Sequence, residues 1–234
     1  MRRIWLCADD YGIAPGVGAA IRELIARGRL NATSAMVVAP SFAAEAPPLA
    51  TLAAERRAAI GLHVTLTGRF RPLTAFWPIA DGAFPPLAAI ARRAFLRRLD
   101  ASALTAEVEA QLAAFTAAFG RAPDFVDGHQ HVQLFPQIRD AVLDMVKRRA
   151  PAAWVRQCGS ALPARVLLRD FKMLALSLLM ETRRNCPMRP AGPRSRAPSR
   201  RKIGAFTTSR IVTSLTSTSS MTAPSTDSSA MPAA

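Results

Sequence analysis

Side chains able to bind a metal ion or transfer a proton are concentrated in three short polar motifs. Asp9 and Asp10 are adjacent, and His63 lies within an apolar segment. His129 and His131 are separated by one residue, and the chain has no histidine outside these motifs. Because neutral imidazole nitrogens and carboxylate oxygens are common ligands of divalent metal ions, the pattern indicates a metal site. The motifs are Ala8-Asp9-Asp10-Tyr11-Gly12, Gly61-Leu62-His63-Val64-Thr65-Leu66 and Asp127-Gly128-His129-Gln130-His131.

Each motif also has a structural interpretation that needs no metal. The aspartate pair is typical of an Asx turn or a helix N-cap as well. His63 is compatible with a hydrogen-bonded core histidine, and the third motif with a polar surface loop. If that third motif is extended, His129 and His131 share a face, and Gly128 allows a tight turn. The metal interpretation is favoured because all three motifs fall at ends of predicted strands.

The periodicity predicts alternating strands and helices. Apolar runs that end in the polar motifs are typical of buried parallel strands, whose carboxyl ends meet at one edge of a sheet. The first helix is predicted from an apolar stripe of Val17, Ile21, Leu24 and Ile25. We therefore expect an α/β fold with a parallel sheet, either barrel-like or open. Predicted strands span residues 3–8, 33–39, 59–66, 123–126 and 153–156; predicted helices span 15–28, 105–119 and 136–149, with a loosely helical, proline-broken stretch over 41–57 and a long loop over 67–87.

Composition divides the chain into two regions. The 234 residues have a net charge of +15, but residues 183–234 contain nine Lys or Arg against one acid and so account for +8. Residues 203–234 contain fifteen Ser or Thr. Such a segment cannot bury enough apolar surface to offset chain entropy. We predict a folded domain over 1–182 and a disordered tail over 183–234. The tail is either a natural segment or the product of a reading frame that shifts near residue 180, and the abrupt change favours the second interpretation.

Cysteine usage and hydropathy predict a compartment. Cys7, Cys158 and Cys186 are an odd number at wide spacing, which favours a reducing environment over a disulfide framework. The longest later apolar stretch, residues 166–180, is too short and too charged to span a bilayer. These features predict a cytoplasmic protein without a transmembrane segment, and a homo-oligomer is compatible with them.

Four motifs together resemble a known family of carbohydrate deacetylases. The three polar motifs and a fourth stretch occur in the order and at the intervals of the YdjC-like family, which includes chitooligosaccharide and hopanoid-biosynthesis deacetylases. The similarity covers residues 1–160. It implies a distorted (β/α) barrel, here incomplete at its C-terminal end, and a divalent metal. The fourth stretch is Asn31-Ala32-Thr33-Ser34-Ala35-Met36.

The resemblance also implies a role for each candidate residue. It makes Asp10, His63 and His129 the metal ligands and Asp9 the general base, and it places His131 in contact with the substrate or behind the ligands. Family members have a further histidine, in a His-Pro motif, that suits protonation of the leaving amine. This chain has no histidine after His131, so the resemblance predicts that this step is impaired.

The resulting hypothesis is metal-dependent removal of N-acetyl groups from an amino sugar in an oligosaccharide or glycolipid. Two imidazoles and one carboxylate suit Zn²⁺, whereas the family is associated with Mg²⁺, and the sequence leaves both open. One alternative is a catalytically impaired remnant of the family. Another is nonspecific binding of acidic polymers by the arginine-rich tail. No aromatic interleaving or nucleic-acid fold signature supports a specific nucleic-acid partner.

Overall fold

A computed structural model describes residues 4–76 and 82–157. The predictions for the tail, for the domain boundary at 182 and for Cys158 and Cys186 fall outside the described residues. Strands and helices alternate along most of the described chain. They are β1 (Cys7–Tyr11), α1 (Pro15–Ala26), β2 (Ala32–Ala35), α2 (Phe42–Arg56), β3 (Ala59–Val64), α3 (Leu87–Phe95), α4 (Ala101–Phe119), β4 (Phe125–Gly128), α5 (Ile138–Arg149) and β5 (Trp154–Val155).

The five described strands form one parallel sheet in the order β1-β2-β3-β4-β5. This confirms the α/β class and the parallel sheet predicted from the motifs. Neighbours in the chain are neighbours in the sheet, as in a (β/α) barrel, whereas a doubly wound sheet reverses its order. The register aligns His63 of β3 with Asp127 of β4. The polar motifs therefore meet at the carboxyl edge.

Two helices differ from the sequence prediction. The stretch expected to be broken by proline is the continuous helix α2, although it contains Pro47 and Pro48. Burial of Ala46, Leu49 and Ala53 along one side of α2 offsets the backbone hydrogen bonds that proline cannot make. Helix α3 was not predicted, because its span lies beside the proline-rich stretch that was interpreted as one long loop.

Helix α4 follows its predicted pattern but begins earlier. The Asp100 carboxylate accepts hydrogen bonds from the backbone N–H groups of Ser102 and Ala103, 2.8 and 3.0 Å away, which caps the first turn. Gly120 ends the helix with a φ of 65°. By contrast, only part of the stripe predicted for α1 is correct: Ile21 and Ile25 are buried, while Val17 and Leu24 are exposed.

The core lies between the sheet and the helices that cover it. Buried side chains of β3, including Ile60 and Leu62, join a cluster that contains Leu49 of α2 and Phe115 of α4. Burial of this apolar surface is the main stabilising contribution to such a domain. Among the helices of the described residues, none is both long and apolar enough to cross a membrane.

The contact between β3 and β4 at Gly61 generates a stability prediction. A Cβ atom at Gly61 would lie 2.3 Å from the Phe125 ring, which is fully buried, whereas a Cβ atom at Gly16 in α1 would meet open space. We expect Gly61→Ala to lower the free energy of unfolding by about 1–3 kcal/mol through overpacking. The matched Gly16→Ala should leave it unchanged or raise it by about 0.4–1 kcal/mol. Urea unfolding checks both, and equal effects of the two variants would contradict the close packing.

Candidate metal centre

The aspartate pair lies where β1 departs from regular geometry. The pairing of β1 with β2 shifts register between Ala8 and Tyr11, and Asp10 has a φ of 62°. This bulge turns the two carboxylates towards different partners instead of opposite faces of the sheet. The Asp10 Oδ1 atom lies 3.1 Å from His63 Nε2 and 2.9 Å from His129 Nδ1. One carboxylate oxygen therefore contacts two imidazoles from two other strand ends.

His63 is oriented by a buried carboxylate. Its Nδ1 atom lies 2.7 Å from Asp127 Oδ1 and 3.1 Å from the Ser34 hydroxyl oxygen. Asp127 is fully buried and His63 is 3% exposed. A proton on Nδ1 satisfies Asp127 and directs Nε2 towards Asp10, which is the arrangement that metal-binding histidines usually have. The core-histidine interpretation is thus correct about burial, but the ring also takes part in the polar site.

The segment with the other two histidines is not extended. Gln130 and His131 have φ values of 53° and 60° within the 3₁₀ segment His129–Leu134. Gly128 itself is extended, with a φ of −152°. Glycine is needed there for space, because a Cβ atom would lie 2.5 Å from Gln133 Oε1. Gly128 therefore does not form the turn itself, and the condition for a shared histidine face, an extended segment, is not met.

This left-handed turn gives the two histidines different surroundings. His129 contacts Asp10. Half-buried His131 lies within range of the charges of Arg156 and Asp9. Burial lowers the pKa of His131, the positive charge of Arg156 lowers it further, and the negative charge of Asp9 opposes both effects.

Asp9 is paired with an arginine that follows β5. The Arg156 guanidinium donates two hydrogen bonds to the two carboxylate oxygens of Asp9, at 2.7 and 2.6 Å, and lies 3.1 Å from Asp127 Oδ2. Burial raises the pKa of Asp9, but the hydrogen bonds and charge of Arg156 outweigh it, so the pKa is lowered overall. The same pairing raises the pKa of Arg156 despite burial. Asp9 is therefore ionised and fixed in orientation at neutral pH.

A second group of potential ligands is formed by Cys7, Asp9 and Asp127. The Arg156 guanidinium already contacts both of its carboxylates. Burial, followed by the charges of the two aspartates, raises the pKa of the Cys7 thiol well above its ordinary value. Because the guanidinium already neutralises both carboxylates, this group is less suited to a metal ion than the group around Asp10.

The group of Asp10, His63 and His129 suits a divalent ion. One ligand atom from each residue lies within 4.8 Å of the others. Burial raises the pKa of Asp10, but its hydrogen bonds to both histidines lower it more strongly. Burial lowers the pKa of His63, but the charge of Asp127 and the contact with Asp10 raise it to about 10, so a bound ion would displace the proton that Nε2 donates to Asp10. Two imidazole nitrogens and one carboxylate oxygen are a ligand set that leaves further positions open.

Two polar residues of the site were not assigned a role from the sequence. Asp127 stood in the third motif, and the signal available was its place at the end of a predicted strand, whereas its pairing with His63 is set by the register of the sheet. Arg156 belonged to the predicted fifth strand, but no local pattern indicates that its partner is Asp9, 147 residues away. Gln133 holds the backbone of Arg156 through a 3.4 Å contact from its amide Nε2 to the carbonyl oxygen.

Comparison with known proteins identifies the family of this chain. A family model described as YdjC-like protein matches residues 3–232. The chain belongs to the YdjC-like family. The match extends through the described domain and most of the basic and Ser/Thr-rich residues that follow it.

Chitooligosaccharide deacetylases are among the relatives of this YdjC-like chain. A chitooligosaccharide deacetylase of Yersinia pestis (strain Pestoides F) is 33% identical over 146 residues, which are 61% of this chain and 55% of the relative. The corresponding protein of Yersinia pestis bv. Antiqua (strain Angola) is 30% identical over 149 residues. The chain spans about half the length of the curated relatives it matches.

A solved structure supports the fold of this YdjC-like chain. A crystal structure from Enterococcus faecalis V583, described as that of a proposed cellobiose-phosphate cleavage protein, superposes with a TM-score of 0.57. The similarity covers 73% of this chain and 64% of the other, at 22% sequence identity. At this identity the likeness establishes a shared fold.

The Asp9–Arg156 pair generates a prediction about proton affinity. In Arg156→Met the pKa of Asp9 should rise from its lowered value, because the guanidinium supplies the largest contributions that oppose burial. At pH values above 3.8, the ordinary pKa of an aspartate, the pair stabilises the wild-type fold. This stabilisation is lost as the pH falls through the lowered pKa of Asp9 in the folded protein. The variant should lack this acid-dependent loss. Carbon-13 NMR titration of the Asp9 carboxyl in metal-free protein, with urea unfolding across the same pH range, measures both effects.

The matched control is Arg121→Met. Arg121 also forms a two-point contact with an aspartate, at 2.9 and 3.0 Å from the oxygens of Asp124, but in an exposed position. This variant should leave the pKa of Asp9 unchanged. An Asp9 carboxyl that titrates as in the wild type after loss of Arg156 would show that a different group sets its proton affinity.

Proposed function

We propose that this protein is a metal-dependent hydrolase that removes the N-acetyl group from an amino sugar in an oligosaccharide or glycolipid. The observation on which the proposal depends is the convergence of Asp10, His63 and His129, with an ionised Asp9 held beside them by Arg156. The names of the Yersinia relatives support the reaction and the substrate class. The general base assignment of Asp9 and the three ligand assignments belong to this proposal.

In this proposal Asp10, His63 and His129 hold the ion. A bound divalent cation polarises the acetyl carbonyl group and acidifies water. Asp127 accepts a hydrogen bond from the Nδ1–H group of His63 at 2.7 Å, which keeps Nε2 directed into the site. Such outer contacts fix the ring orientation of a ligand, and their loss typically weakens metal binding about 10–100-fold.

Asp9 is the proposed proton acceptor for the attacking water. Its two oxygens are fixed by Arg156, so the carboxylate is ionised and pre-oriented before substrate binds. When Asp9 accepts a proton, Arg156 retains a negatively charged partner in Asp127 at 3.1 Å. The buried guanidinium is therefore not left without a counter-charge during the reaction, which would be costly.

His131 is proposed to contact the substrate on the Asp9 side of the site, because it lies within range of Asp9 and Arg156. The choice between Zn²⁺ and Mg²⁺ stays open, since the ligand set includes two imidazoles and one carboxylate. The cytoplasmic location, the homo-oligomer and the impaired protonation of the leaving amine remain predictions from the sequence.

The ligand assignment predicts the metal content of variants. After dialysis against Zn²⁺, and separately Mg²⁺, the wild type should bind one equivalent of at least one of them. His63→Ala and His129→Ala should bind it at least about 100-fold more weakly, because removal of a ligand exceeds the loss caused by an outer contact. His131→Ala is the matched control and should retain wild-type binding. Elemental analysis with circular dichroism as a folding check is the measurement, and equal metal content in all four proteins would exclude the assignment.

The base assignment predicts a separate effect on turnover. Asp9→Asn should reduce acetate release from N-acetylated chitooligosaccharides or N-acetylglucosaminyl lipids by about 10²–10⁴-fold, because the carboxamide cannot accept the proton. Metal content should stay at the wild-type level, since Asp9 is not among the ligands. Asp144→Asn, on the exposed side of α5, is the control and should have wild-type activity. Undiminished acetate release by Asp9→Asn would remove Asp9 from the mechanism.

A further inference from the structure

Helix α4 contains two buried polar residues within its apolar face. Glu107 and Gln111 are both fully buried and lie one helical turn apart. The same face buries Leu104, Val108 and Phe115. A carboxylate and a carboxamide in such surroundings destabilise the fold unless hydrogen bonds satisfy them. Their partners therefore show what this position on α4 is used for.

The Glu107 carboxylate binds a segment of backbone. Its oxygens accept hydrogen bonds from the N–H groups of Leu73 and Thr74 at 3.2 and 2.9 Å, and from the Thr74 hydroxyl at 2.7 Å. The Gln111 amide donates a fourth hydrogen bond at 2.8 Å. Glu107 has no salt bridge to a cationic side chain in the ranges 4–76 and 82–157. Its contribution is thus the orientation of the 73–74 backbone.

Gln111 binds the other end of the same segment. Its Oε1 atom accepts from the backbone N–H of Thr65 at 2.9 Å, and its Nε2 atom donates to the Thr65 carbonyl at 2.7 Å. Thr65 follows β3 and donates its hydroxyl hydrogen to the carbonyl oxygen of His63 at 2.9 Å. One helix turn therefore holds both ends of residues 65–74, which we call the β3 loop, next to a proposed metal ligand.

Phe70 lies in the middle of the β3 loop and contacts the metal centre. Its half-buried ring is perpendicular to the ring of His129, with the centroids 6.0 Å apart. Gly68 allows this packing, because it has a φ of +91° and a Cβ atom there would lie 3.1 Å from the Phe70 ring. The Phe84 N–H donates to the Phe70 carbonyl oxygen at 2.9 Å. The ring is thus fixed in place by its own backbone as well as by the loop ends.

We infer that the β3 loop forms one wall of the substrate site, with Phe70 as an aromatic platform for a pyranose ring and Glu107 and Gln111 as the residues that position it. This inference rests on the proposed function. The C–H groups on one face of a pyranose are apolar and slightly positive, and the face of an aromatic ring is negative, so the two attract. A sugar that rests on Phe70 places its N-acetyl group near His129 and the proposed metal ion.

The platform is tested by sugar binding measured without turnover. Isothermal titration of metal-loaded Asp9→Asn protein with tri-N-acetylchitotriose gives the reference Kd. Adding Phe70→Ala should weaken binding about 3–10-fold, whereas Phe70→Tyr should retain it, because an aromatic face remains. Metal affinity should not change in either variant. If Phe70→Ala binds the sugar as tightly as the reference, the platform is excluded and Phe70 has only a packing role.

The positioning role is tested on the same helix. Glu107→Gln in the otherwise wild-type chain should raise KM with a smaller change in kcat and unchanged metal affinity, because the carboxamide cannot accept all four hydrogen bonds. The matched control is Glu109→Gln on the same helix, because Glu109 contacts Arg148 at 2.7 Å in an exposed position. This variant should behave as the wild type. Should Glu107→Gln fail to fold, Thr74→Val removes one hydroxyl contact and is expected to have the same effect in smaller measure. An unchanged KM in Glu107→Gln overturns the positioning role. If Glu107→Gln does not fold, an unchanged KM in Thr74→Val overturns it instead.

These measurements separate this inference from the proposed function. Sugar binding that depends on Phe70, without any acetate release by the wild type, would support the platform and remove the deacetylase reaction. Acetate release that is insensitive to Phe70 and Glu107 would support the reaction and overturn the platform. Absence of sugar binding by both the wild type and Asp9→Asn would overturn the inference as well.

Discussion

The Arg156 guanidinium between Asp9 and Asp127 is the interaction on which the geometry of the site depends. Three carboxylates meet at one edge of the sheet, and their mutual repulsion in a partly buried setting favours protonation or separation. Arg156 neutralises two of them, Asp9 and Asp127. Because Asp127 is held in this way, its other oxygen is available to orient His63. A single cation thus determines the positions of the proposed base and of one proposed ligand.

The parallel sheet makes this convergence possible. Each strand delivers its last residues to the same edge, and the register places His63 directly opposite Asp127. A shift of one residue would turn these side chains to opposite faces. The bulge at Asp10 then adds a carboxylate that regular β geometry would direct elsewhere. Rigid strands and one local irregularity together give a more precise arrangement than loops alone would provide.

Beside this centre, polar contacts link the β3 loop to helix α4. Glu107 accepts hydrogen bonds from the loop backbone, and Gln111 both accepts from and donates to the backbone of Thr65. The packing of α4 and the conformation of the β3 loop are therefore coupled. Sequence periodicity predicts the helix, but it does not show which groups contact Glu107 and Gln111 within the apolar stripe. The sequence therefore does not predict this coupling.

Much of the fold and the types of the site residues were predictable, because they depend on local composition. Apolar runs that end in polar motifs identified the strands, and the scarcity of histidine identified the ligand candidates. The errors occurred where distant contacts outweigh local preference. Packing keeps α2 helical through two prolines, and the turn after β4 takes positive φ values at Gln130 and His131, which sequence does not favour.

The sequence by itself determined which atoms were available: two adjacent carboxylates, three imidazoles and the strands that end beside them. Only the tertiary structure decided their pairing. It brought Arg156 to Asp9 across 147 positions and gave the two histidines of one motif different surroundings. The physical reason is that hydrogen bonds and screened charges act only over short distances in space. The register of the whole sheet sets the distance between two such residues, and no local segment contains that register.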